Sequence, residues 1–317
     1  MARKPLLTTG SAGRACLTVL FAAFFVVTPV AARAAPLLSH AQLAAFVKQA
    51  ASKVDREGKA AFADFRRPGS KWFQGDRYIF VWGLDGRRYV YPPDPSGEGK
   101  NMISLRDVND KPIGAWFVEQ AATDPGHGWV HYQWPRPNEL FPSWKSTYIQ
   151  RAVAPDGKRY LVGSGQYNMP LTRTTLVDLV DGAARLLESQ GQAAFAQLRD
   201  KSDRFIFMDT YVFVLDSTGT ELVNPAFPSL EGRNLIDYRD AAGNRLVKEM
   251  ITRTAKGHSA WVAYYWPRPG SAEPVRKVAY VRRVRVNGAE WIVGAGMYAP
   301  RQRATTQDAG SAQAGAK

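Results

Sequence analysis

Trp129-Val130-His131-Tyr132-Gln133-Trp134-Pro135-Arg136-Pro137 returns later in the chain as Trp261-Val262-Ala263-Tyr264-Tyr265-Trp266-Pro267-Arg268-Pro269. A lysine and a tyrosine follow each copy at matching distances, Lys145 and Tyr148 in the first, Lys277 and Tyr280 in the second. Each run then closes on a similar segment, Tyr160-Leu161-Val162-Gly163-Ser164-Gly165-Gln166-Tyr167 and Trp291-Ile292-Val293-Gly294-Ala295-Gly296-Met297-Tyr298. The offset barely moves. Gly191 minus Gly58, Tyr211 minus Tyr78 and Glu231 minus Glu98 are each 133, Lys277 minus Lys145 is 132, and Gly294 minus Gly163 is 131. A repeat of roughly 130 residues is too long for a solenoid unit and is large enough to bury a core of its own.

Working outward, each copy opens on an amphipathic helix. Ser39 and Gln42 form a capping box for the first, whose apolar face is Leu43, Phe46, Val47, Ala50 and Val54. Thr175 and Asp178 are the expected capping pair of the second, and Gly58 and Gly191 end the two helices. Hairpins follow, Tyr78 to Trp82 with Arg88 to Tyr91 around Asp85-Gly86, and Tyr211 to Leu215 with Glu221 to Val223. A polar loop leads to a helix near Ile113 to Ala122 or Leu246 to Ala255, and three strands complete the unit. Helix, two strands, helix, three strands argues an α+β fold, an antiparallel sheet with helices packed on it. The expected domains are residues 35–170 and 171–300, with a disordered tail at 301–317.

Residues 1–34 read as a secretory signal peptide: Arg3, Lys4 and Arg14, an apolar run from Cys16 to Val30, then Ala32-Arg33-Ala34 as a cleavage site. A retained membrane anchor over residues 15–32 is the other reading. Cleavage would remove the one cysteine, and with it disulfides, zinc-thiolate sites and cysteine nucleophiles. Lys plus Arg would fall from 42 to 38 against 28 acids, a net charge of +10. Those basic residues are scattered over both repeats rather than gathered in a tract, which fits a solvated surface and argues against a nucleic-acid partner.

The elements in this order resemble the Cache domains, extracytoplasmic sensing modules with a PAS-like fold, and specifically the single-Cache class, here in tandem. The carriers are Tyr78-Ile79-Phe80 with Asp85-Gly86, Gly99-Lys100-Asn101, Gly128 to Pro135, Lys145-x-x-Tyr148, and Val162-Gly163-Ser164-Gly165-x-Tyr167. The resemblance implies a small ligand, often a short organic acid or amino acid, held between the concave face of the sheet and the loops above it. Members of this type often carry a His-Pro pair after the hairpin. This chain has Tyr91-Pro92 and Asn224-Pro225 there, so its two pockets need not bind the same ligand.

The residues support such a site on physical grounds. A small acid needs a mostly apolar cavity with a few convergent donors, which polar-tipped aromatics and one cation provide. Strand alternation puts Val130, Tyr132 and Trp134 on one face, and likewise Val262, Tyr264 and Trp266. Lys145 and Tyr148 are three apart, so either only one of them lines the pocket or a bulge intervenes. The candidate ligand-binding set is Tyr78, Tyr91, Tyr132, Trp134, Lys145, Tyr148, Tyr211, Asn224, Tyr264, Trp266, Lys277 and Tyr280. The bland readings are core filling for the tryptophans and ordinary solvation for the lysines.

Catalysis finds little support. His40, His127, His131 and His258 lack metal-ligand spacing, and His131 becomes Ala263 in the other copy. Gly163-Ser164-Gly165 has no strand-to-helix context, and Asp107 and Asp240 stand one to a domain, too separated for paired acid-base work. The expectation is therefore no enzyme, no cofactor and no metal. It is an exported or periplasmic sensor that binds a small organic acid or amino acid and reports to a membrane-bound sensor kinase or chemoreceptor. The alternative is a ligand-free module for protein interaction.

Overall fold

The structure, a computed structural model, describes residues 37–136 and 139–300. The signal-peptide and tail expectations lie outside the described residues. The first domain runs α1 (His40–Glu57), α2 (Ala61–Arg66), β1 (Phe73–Gln74), β2 (Arg77–Tyr78), β3 (Phe80–Gly83), β4 (Arg88–Val90), α3 (Ile113–Ala122), β5 (His127–Pro135), β6 (Pro142–Val153) and β7 (Arg159–Tyr167). The second repeats it with α4 (Arg173–Gln190), α5 (Ala194–Arg199), β8 (Ile206–Phe207), β9 (Thr210–Asp216), β10 (Glu221–Val223), α6 (Leu246–Gly257), β11 (Ser259–Pro267), β12 (Pro274–Val286) and β13 (Ala289–Tyr298). The main sheets have the same antiparallel order, β4-β3-β7-β6-β5 and β10-β9-β13-β12-β11.

Each sheet is covered on both faces, so alternate residues of one strand feed two separate cores. Leu43, Val47, Ala50, Ala51 and Val54 bring α1 onto Ile79, Val81, Ala152 and Val162. On the opposite face Ile113, Trp116 and Phe117 of α3 meet Phe80, Trp82, Val130 and Tyr132. The second domain divides in the same way, α4 on one face and α6 on the other.

The capping box at Ser39 and Gln42 is present in both directions. The second helix starts earlier than the expected Thr175–Asp178 pair: Thr172 is its N-cap and its hydroxyl accepts from the Thr175 backbone N–H. A threonine offering its hydroxyl at each of two nearby positions made the choice ambiguous in sequence. Here the earlier one takes the cap and the Thr175 side chain is buried.

Matched acids tie down the loops above the α3 and α6 faces. Glu98 accepts from the Tyr91 backbone N–H (2.8 Å) and pairs with Arg66, while Glu231 accepts from that of Asn224 (2.7 Å) and pairs with Arg199. Asp107 accepts from Gln133 N–H and Asp240 from Tyr265 N–H, both at 2.9 Å, so these two carboxylates hold loops to strands.

The domains are locked together by a contact that the repeat does not duplicate. Lys111, 1% exposed, donates to the carbonyls of Asp203 (2.6 Å), Ile206 (3.0 Å) and Lys201 (3.3 Å) in the second domain. Glu119 pairs bidentately with Arg204, and His131 stacks on Phe207 with ring centroids 4.1 Å apart. Lys111→Ala leaves three carbonyls short of a charged donor and should cost about 2 kcal/mol in urea denaturation. Asn244→Ala, at the exposed matching position of the second copy, loses one 3.2 Å hydrogen bond to Asp240 and should cost about 0.5 to 1 kcal/mol, less than the buried clamp. Equal effects from the two would show that the clamp contributes nothing.

Candidate functional site

The site grows from the middle of the long strand β6. Register pairs Lys145 with Tyr132 on one side and Tyr167 on the other, which puts all three side chains on the α3 face. The regular ladder carries no bulge here, so Tyr148 goes to the opposite face, against the α1 core. Tyr280 does the same against the α4 core. These two tyrosines, included in the expected ligand set by their spacing, are not brought to the lysines.

Lys145 is 3% exposed and donates to the Tyr78 hydroxyl at 3.0 Å, with its ammonium 4.6 Å from the centre of the Tyr167 ring. Lys277 is 1% exposed and repeats this with Tyr211 (3.0 Å) and the Tyr298 ring (4.8 Å). Among the described residues neither ammonium has a carboxylate within 4.0 Å. Burial pushes the Lys145 pKa down to about 8 and that of Lys277 to about 7, with partial relief from Asp76 and from Asp209 and Glu221. Tyrosine rings offer cation–π attraction but no countercharge.

Glycine makes room for these stems. A Cβ on Gly165 would come within 2.8 Å of Lys145 Cε, and one on Gly296 within 2.5 Å of Lys277 Cε. The second glycine of each Gly-x-Gly is therefore a steric requirement of the lysine beside it, while the first, Gly163 or Gly294, makes room for Phe80 and Ile149 or for Phe213 and Val281.

Tyr132 lies on the same face with its hydroxyl 2.9 Å from Thr147 Oγ1. Trp134 is half-buried beside it, and Tyr91 meets Tyr78 edge-on at 5.5 Å. In the second domain Tyr211, Asn224, Tyr264 and Trp266 line one narrow cleft with Glu221 and Met250. Its free interior is about 20 Å³, space for roughly one water. A wider trough of about 570 Å³ opens along the other side of α1, lined by Lys48, Lys53, Arg56 and Lys71. It is open to solvent, and Asp64 already pairs there with Lys53 (2.9 Å), so it lacks the enclosed apolar walls of a small-ligand site.

Four contributors were absent from the expected set. Tyr167 and Tyr298 stand at matching positions in the closing strands, a signal the repeat carried. Arg88 and Glu221 were hidden by a register shift in each hairpin. Arg88 pairs with Trp82 of the α3-side core while Val90 pairs with Val81 of the α1-side core, so residues two apart face opposite ways. Glu221 and Val223 diverge likewise. His131 is half-buried, and burial pushes its pKa down to about 3. Among the described residues no cluster of His, Cys, Asp and Glu could hold a metal, and no helix is long and apolar enough to cross a membrane.

A family model described as "Cache domain" matches residues 40–172 and again 188–310. The methyl-accepting chemotaxis protein McpP of Pseudomonas putida is 33% identical over 90 residues, 28% of this chain and 16% of that protein. The sensor histidine kinase MctS of Rhizobium johnstonii is 32% identical over 90 residues, 28% of this chain and 19% of that protein. The matched stretch is thus under a fifth of each relative's length. A solved structure titled as the periplasmic sensor domain of a chemotaxis protein is 30% identical, with a TM-score of 0.37, covering 40% of this chain and 95% of that one.

The lysines allow a test of stability. A free lysine titrates near 10.5, so between that value and the depressed one the unfolded chain holds more protons and stability rises with pH. The penalty of each buried ammonium is complete below about pH 8 for Lys145 and about pH 7 for Lys277, and is gone above 10.5. Lys145→Met and Lys277→Met should each stabilise the ligand-free protein at pH 7 by on the order of 2 kcal/mol, a gain that shrinks towards pH 10. Melting curves across that range check it, and a loss of stability at pH 7 would mean that the ammonium groups are structural.

Proposed function

The chain belongs to the Cache domain family, and from that premise we propose that it is an extracytoplasmic sensor whose two domains bind small organic acids or amino acids. Occupancy is reported to a membrane-bound sensor kinase or chemoreceptor. The observation that carries this reading is the ammonium of Lys145 and of Lys277, each buried among tyrosines with no carboxylate of the described residues within ion-pair distance. A fold gains nothing in stability from such a group, whereas a bound carboxylate supplies the missing charge and accepts from the same hydroxyls. Names of the two relatives, a chemotaxis protein and a sensor kinase, support the signalling role. The expected leader at residues 1–34 supports export.

One observation favours a second reading, a domain pair that keeps the frame and works through protein contacts. As it stands, the cleft around Glu221 has room for about one water, so a ligand must open it.

Thermal shift against a panel of short organic acids and amino acids separates the two. A ligand at a hundredfold excess over its Kd should raise the melting temperature by about 5 °C. Lys145→Ala and Lys277→Ala should each abolish the shift from the ligand of its own domain, measured against the ligand-free variant. A wild type that no compound moves, or a double variant that keeps the full shift, would leave only the protein-contact reading.

A further inference from the structure

The two pockets share their lysine, their tyrosines and their glycines, so what distinguishes them is concentrated in a few positions. Subtracting 133 sets Glu221 against Arg88, Asn224 against Tyr91 and Leu230 against Gly97. These are linked exchanges. Arg88 is 9% exposed; its Nε donates to the Gly97 carbonyl at 3.1 Å and its guanidinium lies over the Tyr91 ring at 4.4 Å. A Cβ on Gly97 would fall 1.6 Å from its Nη2, so the arginine requires that glycine. In the second domain the acid is shorter, Leu230 packs into the apolar core, and Asn224 donates to Glu221 Oε1 at 3.1 Å.

We propose that the two pockets have diverged to ligands of different charge: the first takes a small carboxylate without an amine, and the second takes a carboxylate that also carries an ammonium group, as a free amino acid does. This rests on the ligand-binding reading above and divides its ligand classes between the domains.

In the first pocket Arg88 and Lys145 are two cations on one face of one sheet. Among the acids near them, Asp94 is exposed with its Oδ1 engaged by Ser96, and Asp76 is half-buried. Asp76 has a counterpart in Asp209, which is taken up by Arg268, so it does not distinguish the pockets in kind. An ammonium entering beside Arg88 is repelled at low dielectric. In the second pocket Glu221, 4% exposed, lines the cleft with Tyr211 and Tyr264, and Lys277 lies behind them on the same sheet face, paired with Tyr264 and donating to Tyr211, but no ion pair within 4.0 Å joins it to Glu221. Among the described residues neither has a direct ion-pair partner, and each is only partly relieved by the other's charge. Burial pushes the Glu221 carboxyl up to about 8, as it pushes Lys277 down, and a zwitterion would restore both ionised forms. Its carboxylate meets Lys277 and the Tyr211 hydroxyl while its ammonium meets Glu221.

Titration calorimetry on the full chain with matched probes tests the division: propionate and alanine, then succinate and aspartate. Alanine should bind with unchanged affinity when propionate is saturating. Glu221→Gln, nearly isosteric, should weaken alanine roughly tenfold or more and leave propionate unaffected. Arg88→Gln should do the reverse, with Arg88→Lys restoring propionate. Mutual displacement of the two probes from one site would overturn the proposal, as would substitutions that alter neither affinity or both alike, and in those cases ligand binding itself stands. Silence of the wild type towards all four probes would remove the ligand-binding reading and this division with it.

Discussion

Each half of the molecule depends on an ammonium group sealed inside a sheet face with tyrosines in place of a counterion. Lys145 and Tyr78, and again Lys277 and Tyr211, meet at the same 3.0 Å. The neighbouring architecture follows from that demand. The adjoining strand gives up one side chain, at Gly165 or Gly296, where the lysine stem lies, and a second tyrosine covers the ammonium from the strand's end. Tyr167 and Tyr298 are then fastened by donating to the Pro135 and Pro267 carbonyls at 2.9 and 2.7 Å. Because desolvating a charge is costly, its presence in both copies supports the proposal that the group serves binding rather than folding.

Around this constant the copies vary where variation is cheapest. Glu98 and Glu231 fix the loop after each hairpin, and Asp107 and Asp240 fix the next one, so the frame is held by contacts remote from the lysine. Differences collect at the irregular pair β3–β4 and its counterpart β9–β10, where a slipped register turns one side chain towards the site. A bulge of this kind lets one residue change charge without disturbing the ladder on either side.

Much of this was legible in the sequence, and the parts that were not have identifiable causes. The repeat gave the architecture, since each copy had to fold the same way, and the helix expected at Ile113–Ala122 forms there. Alternation put Val130, Tyr132 and Trp134 on one face, as they are, because β5 is long and regular, while it left Lys145 or Tyr148 open as the pocket residue. It also required Tyr148 to face away from Lys145 unless a bulge intervened, and no bulge does. Alternation failed for Arg88 and Glu221, where β4 and β10 are three residues long and shifted in register, so the period of two does not survive. Lys111 was beyond reach for another reason. Its partners are backbone carbonyls some ninety residues away, which no side-chain pattern announces.

That lysine has a consequence for how the protein holds together. It sits in the first domain just ahead of α3, yet its charge is solvated by carbonyls of the second domain. Because its acceptors are main-chain oxygens, replacing the side chains of Lys201, Asp203 or Ile206 leaves them in place, so the seam tolerates drift on that side and none at the lysine. Prising the two halves apart would strip a buried cation of the oxygens that stand in for water, so the seam resists opening.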